Sequence, residues 1–379
     1  MHIVFLSSEY PQINYPHGGV GTFIRTLSRW LVKHDVNVSV IGINTNLKDQ
    51  FENDHGVEVH RLRSIRFKGL SWIFNSYLIN KKIDSLNNLK KIDIIEGSEL
   101  SLAFLKKNKK IKYLIRMHGG HHFFSKSENR KINLWKGLQE RYSFYKADAV
   151  IGVSNYVINH TLNYFDFKDK VKGVINNPAN IDKFYLSDPK KAIKGRIFFA
   201  GTVCEKKGIR QLIEAMHIVK KTKPDAHLIV AGRDWHFPKT KKSYIEYLKT
   251  SIDASMVESI TFLGNIPNSK IPELIEKSEI CCYPSHMEAM PLAWIEVMSM
   301  KKAFITSHLG PGTEIIEHGV NGILCNPLDP KNIAEKIIYV FNNKEKVDLL
   351  VEKAYRHAVK NFNLDYLGEK NRNLYSSLI

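Results

Sequence analysis

RIFFAGTVCEKKGIRQLIEAMHIVKK, residues 196–221, decides the fold. Arg196–Gly201 is a short apolar and aromatic run, the pattern of a buried strand. After Gly208 the period changes, and Ile209, Leu212, Ile213 and Met216 fall on one face of a helix. HLIVAG (227–232) then returns to the strand pattern. Strands alternating with helical segments predict a parallel sheet covered by helices.

The same alternation continues outward in both directions. ITFLGN (260–265), EICCYPS (279–285) and KAFITS (302–307) read as strands. ELIEKS (273–278), LAWIEVMSM (292–300) and NIAEKIIYVFNN (332–343) read as helices. Upstream, strands are predicted at HIVFLS (2–7), NVSVIGI (37–43), GVEVHRL (56–62), IDIIEG (92–97), YLIRMHG (113–119), ADAVIGVS (147–154) and KVKGVINN (170–177). Phe23, Ile24, Leu27 and Leu31 place a helix after the first of them. The polar stretch from Pro178 to Gly195 reads as an interdomain linker. A chain of 379 residues exceeds one ordinary core, so two domains are expected. The fold class is α/β, with two Rossmann-like domains built on parallel sheets.

Composition is that of a packed globular protein, 43% hydrophobic and 25% charged. No apolar run has the length of a membrane span. The N-terminus reads as a strand and not as a secretory signal. Cys204, Cys281, Cys282 and Cys325 form neither a metal spacing nor a disulfide framework. Reduced thiols in a cytoplasm are expected. The net charge is +18, with +12 in residues 1–187 and +6 in the remainder. A basic half attracts an anionic partner, unless the excess is plain compositional bias.

Ligands of such sheets bind beyond the carboxyl ends of the strands, so the strand-to-helix loops carry the chemistry. Ala200–Gly208 is one of them. Gly201 allows backbone amides to approach an anion, and Lys207 adds a full charge. The alternative is a surface loop with solvated lysines. Glu288 and Glu296 are a second signal, one in a loop and one inside the following helix. Carboxylates accept from sugar and ribose hydroxyls. Residues 307–316 are the third loop, where Gly310 and Gly312 permit close backbone approach to a ligand; the alternative is a tight turn N-capped by Thr313.

The order of these three loops is more specific than any one of them. PSHMEAMPLAWIEVMSMKKAFITSHLGPGTEIIEHGVNGILCN (284–326) closely resembles the donor-site signature of the family 4 glycosyltransferases. The matching elements are Pro284-Ser285, Glu288 and Glu296, Gly310 to Glu314, and Asn321-Gly322-Ile323-Leu324. The resemblance extends to Gly201…Lys207-Gly208, Asn177-Pro178…Phe184, and the Gly18-Gly19-Val20-Gly21 loop. It implies a GT-B architecture of two facing domains with the active site in the cleft between them. Residues 1–187 would bind the acceptor and 188–355 the nucleotide sugar. Residues 356–379 would form a helix packing back on the N-terminal domain. By the same analogy, Glu296 would hold the donor ribose, and Glu288 would face the sugar hydroxyls. Lys207 would neutralise the diphosphate. Backbone groups near Gly19, Gly201, Ala289, Met290, Leu292 and Gly312 would assist, and His118 would stand beside the reacting sugar. The reaction implied is retaining and metal-independent. Charge on the leaving diphosphate would then fall to lysine, helix start and backbone. No cofactor is expected beyond the donor substrate.

Two positions depart from the family pattern. Thr202 stands where many relatives have Arg, and Ala289-Met290-Pro291 where they often have Gly-Phe-Gly. His118, His121 and His122 invite a metal reading, yet no carboxylate or Cys accompanies them at ligand spacing.

Residues 61–82 interleave Arg61, Arg63, Arg66 and Lys68 with Trp72, Phe74 and Tyr77. That mixture suits peripheral contact with anionic membrane, or single-stranded nucleic acid, or a solvated basic edge on a core helix. No nucleic-acid motif is present, and nucleic acid is not expected as a partner. The function expected is sugar transfer from a nucleoside-diphosphate sugar to a glycan or lipid-linked acceptor. The setting would be cell-surface polysaccharide synthesis, at the inner membrane face or free in the cytoplasm. The competing readings are a nucleotide-sugar epimerase of the same plan and a basic nucleic-acid-binding protein.

Overall fold

A computed structural model describes residues 1–12, 18–45, 48–128, 130–179 and 183–379, with the side chains of 254 and 255 outside that description. Residues 180–182 of the expected linker lie outside the described residues. The chain divides into two compact units, Met1–Pro178 with Leu364–Ile379, and Ala179–Asn363.

The first unit carries an eight-stranded sheet of order β3-β4-β2-β1-β5-β6-β7-β8. Its strands are β1 (His2–Leu6), β2 (Asn37–Ile43), β3 (Gln50–Asp54), β4 (Val57–Leu62), β5 (Ile94–Gly97), β6 (Lys112–Met117), β7 (Ala149–Gly152) and β8 (Val171–Val174). All pairings are parallel except β3 with β4. The second unit carries six parallel strands of order β11-β10-β9-β12-β13-β14. These are β9 (Ile193–Ala200), β10 (His227–Ala231), β11 (Ile260–Gly264), β12 (Ser278–Tyr283), β13 (Ala303–Ser307) and β14 (Ile323–Cys325). Central strands are buried throughout, as parallel strands covered on both faces require.

Both unit boundaries differ from the expected ones at 187/188 and 355/356. The first lies at Pro178/Ala179 because the segment after it is tied to the second unit. Phe184 is buried, Ser187 N donates to Met300 O at 3.1 Å, and Asp188 N donates to Glu276 Oε1 at 3.2 Å. The second lies at Asn363/Leu364. The helix Lys344–Asn361 packs on the helix Leu292–Ser299, so it stays with the second unit. The helix Leu364–Leu378 instead packs on the helix Gly19–Lys33. A Cβ on Gly368 would sit 2.4 Å from the Trp30 ring, and Trp30 Nε1 donates to Asp365 at 2.7 Å.

A buried polar cluster fastens this last helix to the sheet. Arg116 Nε donates to Glu96 Oε1 at 2.6 Å, and Tyr375 OH donates to Glu96 Oε2 at 2.7 Å. Asn371 Oδ1 accepts from Arg116 Nη2 at 2.5 Å. A buried charge survives only when paired and hydrogen-bonded in this way.

A close backbone contact joins two loops of the second unit at Gly208. Its φ is +70°, and a Cβ there would fall 1.9 Å from the Pro284 carbonyl oxygen. Gly208→Ala combines left-handed strain with a backbone clash, and should cost about 2–4 kcal/mol. Urea unfolding of the second unit's transition measures it; a loss below about 0.5 kcal/mol would show that the two loops part easily.

Candidate functional site

In the second sheet β9 lies between β10 and β12. The chain runs from β9 to β10 on one side and from β12 to β13 on the other. At such a switch point the two following loops diverge and leave a crevice at the strand ends. Those loops are 201–208 and 284–291.

Gly201 leaves β9 with φ +150°, and its N–H donates to Ala231 O at 2.9 Å. Its carbonyl oxygen occupies the space of a Cβ on Gly232, only 1.7 Å from that position. A 3₁₀ turn, Glu205–Lys207, follows, and Gly208 links it to the helix Ile209–Thr222. His286 N donates to Lys206 O at 2.8 Å, which joins the second loop to the first. Lys207 Nζ then forms an ion pair with Glu288 Oε1. Both side chains keep some exposure, 24% and 14%, so solvent reaches the pair.

A clamp behind the turn holds it in shape. Glu205 accepts from Arg210 Nη2 at 2.7 Å, Gln211 Nε2 at 2.9 Å and Tyr244 OH at 2.5 Å. Burial pushes the Glu205 carboxyl up, but these donors outweigh it and bring it down to about 2. This clamp was not foreseen. Its sequence signal is an ordinary acidic residue five positions before an arginine.

Glu296 is on the helix Leu292–Ser299, which starts directly after the Glu288 loop. Burial pushes its carboxyl up to about 7, and the Lys183 charge only partly opposes this. Ala289 and Met290 are buried, and Leu292 opens the helix. Gly312 opens the short helix Gly312–Ile315, where a Cβ would lie 2.0 Å from Ser307 O. Thr313 is inside that helix and Pro311 is its cap residue, so Thr313 is not the N-cap. The structure thus pairs Lys207 with Glu288 directly and sets Glu296 on the next helix.

The first unit has its own opening, a cavity of about 900 Å³ at the carboxyl ends of β1, β5 and β6. Ser8, Glu9, Glu99, His118, Lys131 and Lys136 are among its lining residues. The His118 ring is 5.2 Å from the Phe23 ring. Burial, helped by the Arg116 charge, pushes its imidazole down to about 3. His118 is therefore a neutral hydrogen-bonding group near neutral pH.

Two carboxylates hold the turn that carries His118. Glu99 Oε1 accepts from Gly119 N at 2.7 Å, and Gly119 has φ +94°. Burial pushes the Glu99 carboxyl up to about 8. Glu140, fully buried, accepts from His122 N at 3.0 Å and pairs with His122 Nδ1 at 2.6 Å. His121 Nε2 accepts from Asn133 N at 2.9 Å. His121 and His122 are thus engaged in local structure. Among the described residues, no three His, Cys, Asp or Glu side chains gather into a metal-holding group. Gly19 opens the helix Gly19–Lys33 with free space around it. Gly21 is the constrained position there, since a Cβ would meet Glu9 O at 1.9 Å.

Comparison with known proteins shows the family and the type of fold. Residues 17–183 match the family described as Glycosyltransferase Family 4, and 182–357 match Glycosyl transferases group 1. The chain belongs to the family 4 glycosyltransferases. It is a transferase with the GT-B type of fold. It is 26% identical to a glycosyltransferase of Methanocaldococcus jannaschii that carries no further description, over 99% of this chain and 98% of that one. Among solved structures it resembles sucrose-phosphate synthase from Thermosynechococcus elongatus, with TM-score 0.85 and 18% identity, over 100% of this chain and 98% of that one. It also resembles Anabaena HepE in complex with UDP and glucose, with TM-score 0.79 and 18% identity over all of both chains.

The position of Glu296 makes a pH-dependent prediction. Its folded value of about 7 lies above the ordinary 4.5, so the native state holds an extra proton between these limits. Stability from this group is present at low pH and lost as pH rises through that window. The urea midpoint of Glu296→Gln should therefore gain on wild type between pH 5 and pH 8. A difference that stays constant with pH would contradict the burial of an ionisable Glu296.

Proposed function

We propose that this glycosyltransferase moves a sugar from a nucleoside diphosphate to a hydroxyl of a glycan or lipid-linked acceptor, with retention at the anomeric carbon. The observation that carries this reading is the Lys207–Glu288 ion pair, held at the β9/β12 switch point beside a helix start.

The ion pair serves a purpose before ligand arrives. A lone lysine in this partly buried position would keep an unmatched charge, and Glu288 offsets it. A diphosphate offers stronger anionic partners, so Lys207 turns to it and Glu288 is released to accept from the sugar hydroxyls. Glu296 accepts from the ribose hydroxyls. Backbone groups at Gly201, Ala289, Met290, Leu292 and Gly312 are proposed to line the donor, with Gly19 a further point of close backbone approach. His118, neutral, is our candidate to hydrogen-bond a bound sugar hydroxyl.

In the transfer, the bond from the anomeric carbon to the diphosphate oxygen breaks. The acceptor oxygen bonds to that carbon on the same face, and its proton passes to the leaving phosphate oxygen. Lys207, the helix start and backbone amides stabilise the charge that develops there, so no obligatory metal is required. The complex of HepE with UDP-glucose supports a nucleotide-sugar donor. The basic first 187 residues support an anionic, lipid-linked acceptor. A role in cell-surface polysaccharide synthesis follows from such an acceptor, with the enzyme in the cytoplasm and residues 61–82 meeting the inner membrane face. Among the described residues, no helix is long and apolar enough to cross a membrane.

A thermal-shift series with UDP-, GDP- and ADP-sugars should single out one donor. With that donor, Lys207→Ala should lower transfer or slow donor hydrolysis about 10²–10³-fold. Glu296→Ala should lower it about 10²-fold, mainly through donor affinity. Unchanged turnover in both variants would end the proposal.

A further inference from the structure

The first unit exposes more apolar surface than its fold needs. Along Phe67–Tyr77, Phe67 is 58% exposed and Tyr77 62%. The helix Leu134–Lys146 buries Gly137, Glu140 and Phe144 on one side. On the other side it presents Leu134 at 82% exposure, Leu138 at 61% and Tyr145 at 75%. The two regions are one surface, because Trp72 meets Trp135 at 5.2 Å and Phe104 at 4.5 Å. A contiguous apolar patch of this kind on a globular unit marks a contact.

The charge around the patch selects its occupant. No Asp or Glu occurs between Val59 and Ile83, where Arg63, Arg66 and Lys68 are exposed. On the helix, Lys136 and Arg141 are exposed, and the one acidic residue, Glu140, is fully buried against His122. Lys106, Lys109 and Lys110 extend the basic rim. A two-fold contact with a second copy would bring these cations against each other. The aliphatic side chains of Leu134 and Leu138 have no use for stacked bases. Aromatic and aliphatic groups ringed by Lys and Arg match the boundary between acyl chains and anionic headgroups.

We propose that the helix Leu134–Lys146 and the Phe67–Tyr77 segment together seat the enzyme on an anionic phospholipid surface, and that the acceptor enters the His118 cavity from that surface. The cavity is lined by Ile79 of the helix Ser71–Leu89 and by Asn133 and Lys136, at the start of the seating helix. A lipid-borne acceptor thus reaches the cavity along the rim that touches lipid. The entry route, unlike the seating itself, rests on the acceptor reading of that cavity.

The test is co-sedimentation of the full chain with phosphatidylcholine vesicles, with and without phosphatidylglycerol. Binding should require phosphatidylglycerol, weaken with salt, and shift the tryptophan emission to the blue. The double variant L134S/L138S and the triple variant R63E/R66E/K68E should each lower partitioning at least about tenfold, with unchanged thermal unfolding. Absence of binding to anionic vesicles, or binding that neither variant weakens, overturns the proposal. So does a wild-type dimer that L134S/L138S converts to a monomer, since the face would then be an interface between copies. A retained nucleotide-sugar thermal shift in the same samples separates failure of this inference from failure of the donor reading.

Discussion

The contact of Gly208 with the Pro284 carbonyl is the constraint on which the candidate site of the second unit depends. No other residue type fits there, because a Cβ would stand 1.9 Å from that oxygen. The contact presses the loop after β9 against the loop after β12, and the His286–Lys206 backbone hydrogen bond fixes their register. Lys207 and Glu288, 81 positions apart in sequence, become partners as a consequence. The Glu205 clamp fixes the shape of the turn that carries Lys207, so the backbone of the proposed diphosphate site is ordered in advance and the lysine side chain alone has to change partner.

The first unit solves a related problem with acids in place of cations. Glu99 and Glu140 sit under the turn from His118 to His122 and satisfy its backbone and ring donors. Burial keeps His118 uncharged, which is compatible with the hydroxyl-bonding role proposed for it. Positive charge is instead displayed at the rim, by Lys131, Lys136 and their exposed neighbours. Arg116 lines the same cavity but is spent on Glu96, Asn371 and Tyr375, and so anchors the returning C-terminal helix.

The central strands were legible in the sequence because parallel strands buried on both faces are continuous apolar runs. Asn37–Ile43 was read to the residue. Two strands were not read. Gln50–Asp54 is polar and mostly exposed at an antiparallel edge, and Ile323–Cys325 is only three residues long. The first compact unit ends at Pro178 and not at residue 187, because Asp188 N and Ser187 N donate to Glu276 and Met300 of the second unit, contacts that no local pattern announces. Lys207, Glu288 and Glu296 stand out as candidates through a family pattern, not through any local propensity, and of these the structure pairs Lys207 with Glu288. Glu99 and Glu140 were not legible, since nothing in a lone acid's neighbours announces that it will be buried. The helix Leu134–Lys146 was likewise silent, because exposure of its Leu and Trp residues depends on which face the fold covers.

The central claim is that Lys207 is stored on Glu288 until a diphosphate replaces it. Calorimetric titration with the nucleoside diphosphate alone, without sugar, tests this most directly. Glu288→Gln frees the lysine and should bind the diphosphate as tightly as wild type or more tightly, while Lys207→Met should bind it at least about tenfold more weakly. Equal affinity of wild type and Lys207→Met, or loss of diphosphate affinity in Glu288→Gln alone, would contradict the account.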